Sequence, residues 1–123
     1  MERLRENRLY LPNVMIPAPV QPTPFLERAL TGQHLAIFVV PSHAFRAILG
    51  QSLPHLDPHA FVVSATKGIE VGSLATMSRI MEEILPSGQR ARIAVLSGPS
   101  FAVEVVAGRP TAIVAAAEDP KVA

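Results

Sequence analysis

Four short apolar runs, at residues 35–40, 61–64, 93–96 and 111–116, constrain this chain more than any other feature. Each is shorter than an ordinary helix and rich in Val, Ile, Leu, Phe or Ala, so each predicts a strand. Helix signals fill the gaps between them. Ser42 predicts the N-cap of a helix running through Leu49 and closed by Gly50. From Ser73 onward, Leu74, Met77, Met81, Ile84 and Leu85 share one face at the helical period, while Arg79, Glu82 and Glu83 point away. Residues 101–107 predict a further short helix with Gly108 as its stop. Strands alternating with helices predict an α/β fold with a parallel sheet and right-handed crossovers. The run 35–40, apolar on both faces, predicts a central strand of a covered sheet.

The flanks read differently. Residues 1–8, rich in Arg and Glu, predict the closing turns of a helix. Residues 10–24 hold five of the twelve prolines. Each proline fixes φ and removes a backbone donor, so this stretch predicts an extended connector with at most a short edge strand near Val14 to Ile16. Residues 25–30 predict a short helix ended by Gly32. Asp119-Pro120 reads as the start of a helix with three residues left to run. Both ends thus read as cut.

Composition removes several classes of function. At 49% hydrophobic and 17% charged, the 123 residues are those of one globular domain with a modest core. A net charge of +1, with 5% aromatic residues and no basic stripe among them, argues against nucleic acid and anionic membranes as partners. The absence of cysteine excludes disulfides and thiolate metal sites. None of His34, His43, His55 and His59 pairs with another at i,i+4 on a helix, since His55 and His59 lie in a proline-flanked loop, so a metal site is not expected. No apolar run approaches the roughly 20 residues of a membrane span, and the first residues are too charged for a signal peptide. A cytoplasmic protein is expected.

The candidate chemistry lies at strand ends. The run 61–64 leads into Ala65-Thr66-Lys67-Gly68, so a buried strand delivers one cation to the surface. Ligands of open parallel α/β sheets bind beyond the carboxyl ends of the strands, which puts Lys67 where an anion would be held. Gly98-Pro99-Ser100 follows the next strand and precedes a helix. There Ser100 can serve as an ordinary N-cap, or the backbone N–H groups and its hydroxyl can hold a phosphate. Pro41-Ser42-His43 ends the preceding strand at the same rim, and three polar strand ends on one rim suit a ligand crevice. A nucleophile elbow of the Gly-x-Ser-x-Gly kind and a glycine-rich dinucleotide fingerprint are both missing from the sequence.

Four stretches in order, Tyr10-Leu11-Pro12, residues 37–43 (IFVVPSH), residues 64–70 (SATKGIE) and residues 96–102 (LSGPSFA), resemble the bacterial NAD(P)-dependent glycerol-3-phosphate dehydrogenases. The likeness covers nearly the whole chain. It implies that residues 1–123 are a partial NAD(P)-binding N-terminal domain, with connector 10–24 and α/β core 35–123. The sheet would be an incomplete Rossmann-like, doubly wound one that lacks the first strand and its glycine-rich turn, and the C-terminal helical domain would be absent. It implies hydride transfer between NAD or NADP and dihydroxyacetone phosphate or sn-glycerol 3-phosphate, serving glycerophospholipid precursor synthesis. In the family the lysine matching Lys67 reaches substrate and cofactor. The positions matching Gly98 and Ser100 contact substrate, and that matching Ala102 contacts the cofactor; His43 and Tyr10 have less support on the cofactor side. No catalytic base is expected within this chain, so it should not turn over by itself. Without its first strand, the edge at residues 35–40 is expected to self-associate. The competing readings are a non-catalytic module that binds a partner chain, and a related dehydrogenase acting on another small acid or phosphate.

Overall fold

The structure, a computed structural model, describes residues 5–123. The closing helix expected over residues 1–8 falls partly outside them. From residue 5 onward the chain forms a hairpin instead: β1 (Glu6–Asn7) pairs antiparallel with β2 (Leu11–Met15) across a bulge. The Arg and Glu side chains that suggested a helix have other partners. Glu6 Oε1 accepts from the Asn13 N–H at 2.8 Å, and the Arg5 guanidinium donates to the Ile16 carbonyl at 3.2 Å and the Val20 carbonyl at 2.8 Å. Within residues 10–24 the strand β2 starts at Leu11, earlier than the short one expected near Val14 to Ile16, and the Val20 N–H then closes a turn on the Pro17 carbonyl at 3.0 Å. After it come α1 (Leu26–Leu30) and Gly32 at φ +74°, where the missing side chain permits the left-handed turn.

The main sheet has four strands in the order β3 (Leu35–Phe38), β4 (Phe61–Ser64), β5 (Ile93–Ser97), β6 (Val114–Ala116). The first three run parallel, with Ala36, Val62 and Ile93 abreast. The fourth does not: β6 is antiparallel to β5, with Ser97 opposite Val114. The expected all-parallel sheet is therefore a mixed one. The cause is the connection. Its only helix, α5 (Ala102–Val106), has five residues, roughly 7 Å at 1.5 Å per residue. It does not carry the chain back along β5, and β6 begins at the end where β5 finished.

Two helices cover one face of this sheet. α2 (Ser42–Ser52) contributes Phe45 and Leu49, and α3 (Met77–Ile84) contributes Met77, Ile80 and Met81, all packed with Ala36, Phe38, Val62 and Leu85. The rings of Phe38 and Phe45 meet edge to face at 6.0 Å. Ser42 lies inside α2 rather than capping it, and α2 runs through Gly50 into a 3₁₀ turn at Leu53–His55. α3 starts later than expected. Thr76 is its N-cap and accepts from the Arg79 N–H, so Leu74, at φ +58° and 70% exposed, belongs to the preceding turn. Ile80 takes the core position instead. A short α4 (Ser87–Arg90) leads into β5. The expectation of a central β3 is also corrected. Among the described residues β3 has a neighbour on one side only, and Leu35, Ile37 and Val39 are exposed. Asp119 begins a turn rather than a helix, accepting from the Lys121 N–H at 2.9 Å.

Candidate functional site

The site begins where β4 stops. Thr66 is buried, and its hydroxyl donates to the Phe38 carbonyl at 3.3 Å while accepting from the Val40 N–H at 3.2 Å. The Ala65 N–H reaches the same Phe38 carbonyl at 2.9 Å. Two neighbouring strand ends are thereby stitched together by one side chain. The next residue, Lys67, leaves the sheet at a fixed place. Gly68 follows at φ +101°, a backbone angle that a side chain strongly disfavours.

Lys67 crosses to the end of β5. Its Nζ donates to the Gly98 carbonyl at 2.6 Å and to Ser100 Oγ at 3.2 Å. Lys67 thus stands with Gly98 and Ser100, although it lies more than thirty positions before them along the chain. An ammonium has three N–H donors and the described residues engage two of them, which leaves one among these residues for an oxygen of a ligand. Gly98 is compelled by space as well as angle. It sits at φ +145°, and a Cβ there would overlap the Ala112 carbonyl oxygen and lie 3.0 Å from Ile113 Cα.

Ser100 does not cap α5. The N-cap is Phe101, without a side-chain cap bond, so the Ser100 hydroxyl is free to face Lys67. The Ser100 N–H is engaged by the Gly98 carbonyl at 2.9 Å. The expected backbone cradle is accordingly reduced, and the ammonium and hydroxyl carry the polarity of the site. The Lys67–Ser100 contact stands between two hollows. One, open and about 1100 Å³, is lined by Lys67, Gly98, Thr76, Arg79, Leu96 and Glu118. The other, about 320 Å³ and mostly apolar, is lined by Ala65, Leu96, Ser100, Val105 and Ile113. Ala102, exposed, is the first residue of α5. Tyr10 and His43 are exposed at the hairpin turn and at the start of α2, and no hydrogen bond joins either to Lys67.

A polar network behind the lysine is not foreseen from the sequence. Arg46 of α2 grips Glu70 with Nε to Oε1 at 2.7 Å and Nη2 to Oε2 at 2.8 Å, and Nη2 also reaches Glu83 of α3 at 2.9 Å. These bonds, with one from the Ser73 hydroxyl, hold the Glu70 carboxyl down at about 2. The signal available in the sequence was a lone Glu three positions beyond Lys67. Its partner, 24 residues away, could be found only by folding the chain.

Strands β3 to β5 in parallel, helices packed on the sheet and polar groups gathered at the carboxyl ends define a Rossmann-type α/β domain. A family model described as the NAD-dependent glycerol-3-phosphate dehydrogenase N-terminus matches residues 1–123. The chain belongs to this family. It is 46% identical over 123 residues to glycerol-3-phosphate dehydrogenase [NAD(P)+] of Geobacter sp. (strain M21), covering 100% of this chain and 37% of that protein. It is 45% identical over 115 residues to the enzyme of the same name from Syntrophobacter fumaroxidans, covering 94% and 34%. The crystal structure of glycerol-3-phosphate dehydrogenase from Coxiella burnetii superposes with a TM-score of 0.80 at 32% identity, over 98% of this chain and 36% of that one. The yeast enzyme, at 27% identity, gives a TM-score of 0.75 over 93% and 32%. The chain spans about a third of the length of the curated relatives it matches. Among the described residues no helix is long and apolar enough to cross a membrane.

Proposed function

We propose that this chain is the substrate-facing part of an NAD(P)-dependent glycerol-3-phosphate dehydrogenase, in which Lys67, Gly98 and Ser100 hold the substrate. The observation that carries this reading is the convergence of Lys67 on Gly98 and Ser100, with one ammonium donor left over among the described residues. A cation and a hydroxyl beside an open cleft suit dihydroxyacetone phosphate and sn-glycerol 3-phosphate, which offer carbonyl, hydroxyl and phosphate oxygens. Cofactor contact is assigned to Lys67 and Ala102. The small, exposed Ala102 leaves room for a flat ring against the start of α5, whereas no glycine-rich turn is present in the sequence to hold a pyrophosphate. The residues at hand therefore fit the nicotinamide end of NAD or NADP. When bound, that ring supplies or accepts the hydride.

The contribution of Lys67 is electrostatic. It orients the substrate oxygen and favours negative charge growing there as the carbonyl is reduced, while the Ser100 hydroxyl fixes the direction of approach. Because Lys67 acts as a fixed cation, it does not also serve as the base. The proposed place of work is the cytoplasm, on a small, polar substrate. The test is dihydroxyacetone phosphate-dependent oxidation of NADH or NADPH by the purified full-length gene product, with glyceraldehyde 3-phosphate and small 2-oxo acids as competing substrates. Turnover confined to dihydroxyacetone phosphate supports the reading, and a preference for a 2-oxo acid refutes it.

A further inference from the structure

The turn that carries Lys67 is held from behind as well as from the front. On its N-terminal side Thr66 fastens it to the end of β3. On its C-terminal side, three residues past Lys67, everything converges on Glu70. Arg46 meets the carboxylate with a two-point fork at 2.7 and 2.8 Å, the arrangement that fixes orientation as well as distance. Ser73 Oγ donates to the same carboxylate, the Glu70 N–H reaches the Ala75 carbonyl at 2.9 Å, and the Leu74 N–H reaches the Glu70 carbonyl at 3.0 Å. The Glu70 side chain is only 17% exposed. Between the two anchors, Lys67, Gly68 and Ile69 are exposed, and Gly68 brings no side chain to stiffen the turn.

We propose that Arg46 and Glu70 are positioning residues for the ligand site, a latch that fixes the Lys67–Gly68 turn so that Nζ stays on Gly98 and Ser100. The same Arg46 holds Glu83, so α2 and α3, which form the packed layer over the sheet, set the place of the lysine. A pair kept only for stability could sit within the helices, as Arg46 and Glu83 do. The Arg46–Glu70 pair spans from α2 to the segment that delivers the functional cation. The proposal rests on the reading of Lys67 as the substrate anchor.

The test uses the full-length gene product with Arg46→Lys, which keeps the charge but loses the fork, and Glu70→Gln, which keeps the shape but loses the charge. Each is expected to lower kcat/KM for dihydroxyacetone phosphate about tenfold, through kcat as well as KM, as when an interaction that strengthens in the transition state is displaced. The double variant should be no worse than the poorer single one, because both changes remove one interaction. Unchanged kinetic constants with a lowered melting temperature would overturn the proposal in favour of a purely structural pair. Hydrogen exchange gives a readout independent of turnover. The amides of residues 70 and 74 should exchange about tenfold faster in both variants while that of Ile80 is unchanged. If the parent protein fails to reduce dihydroxyacetone phosphate, the functional reading falls, yet exchange still decides the latch: unaltered rates at residues 70 and 74 overturn it.

Discussion

At the scale of single residues, the site depends on atoms that are absent as much as on those present. Gly98 offers its carbonyl to Lys67 because nothing occupies its β position, where the backbone of Ala112 and Ile113 passes. Gly98→Ala would force the strand β6 lead-in and the Lys67 acceptor apart, in a backbone conformation that alanine itself resists. A destabilisation of about 2–4 kcal/mol is expected, read as a shift of the urea midpoint, together with a weaker response to dihydroxyacetone phosphate. A variant as stable as the parent would show that the approach of residues 112–113 is looser than the structure has it. Thr66 illustrates what sequence reading misses at this scale. It reads as one polar residue among several after a strand, and only the fold shows that its hydroxyl joins the ends of β3 and β4.

At the scale of elements, local signals located most strands and helices but misjudged their limits. The methionine stripe of α3 is core, as its period indicated, yet the helix begins at Met77 rather than near Ser73 because Thr76 supplies the cap. Ser42 and Gly50 show the converse. Both resemble helix punctuation, and both lie within α2, where packing of Phe45 and Leu49 outweighs local preference. The join between α2, α3 and the Lys67 turn has a pH signature. The Arg46 guanidinium holds the Glu70 carboxyl down at about 2, against 4.5 for a free glutamate. A carboxyl depressed in this way contributes stability that is complete above about 4.5 and is lost as pH falls through about 2. Urea midpoints measured from pH 5 down to pH 2 should therefore fall less steeply in Glu70→Gln than in the parent. Equal slopes would mean that the pair does not persist in solution.

At the scale of the whole molecule, the strand–helix alternation revealed an α/β fold, and the order of four motifs pointed to the family to which the chain belongs. The direction of β6 was not legible, because it depends on how far a five-residue helix can carry the chain. The place of β3 in the sheet was not legible either. A run apolar on both faces indicates a covered strand without saying what covers it, and here Leu35 and Ile37 are each about half exposed. The 123-residue polypeptide is therefore expected to self-associate through β3 in sedimentation experiments, and Ile37→Lys should shift it towards monomer. A parent polypeptide that sediments as a single monomeric species would contradict this.

The Lys67 ammonium, set against Gly98 and Ser100, is proposed to hold the substrate. The most direct measurement is kcat/KM for dihydroxyacetone phosphate in the full-length gene product and in Lys67→Met, with melting temperatures taken alongside. A fall of about 10²–10³-fold at an unchanged melting temperature is predicted, the scale of losing one preorganised charge at the reacting oxygen. A kcat/KM within about threefold of the parent would contradict the account, since a threefold change is under 1 kcal/mol and too small for an anchoring cation.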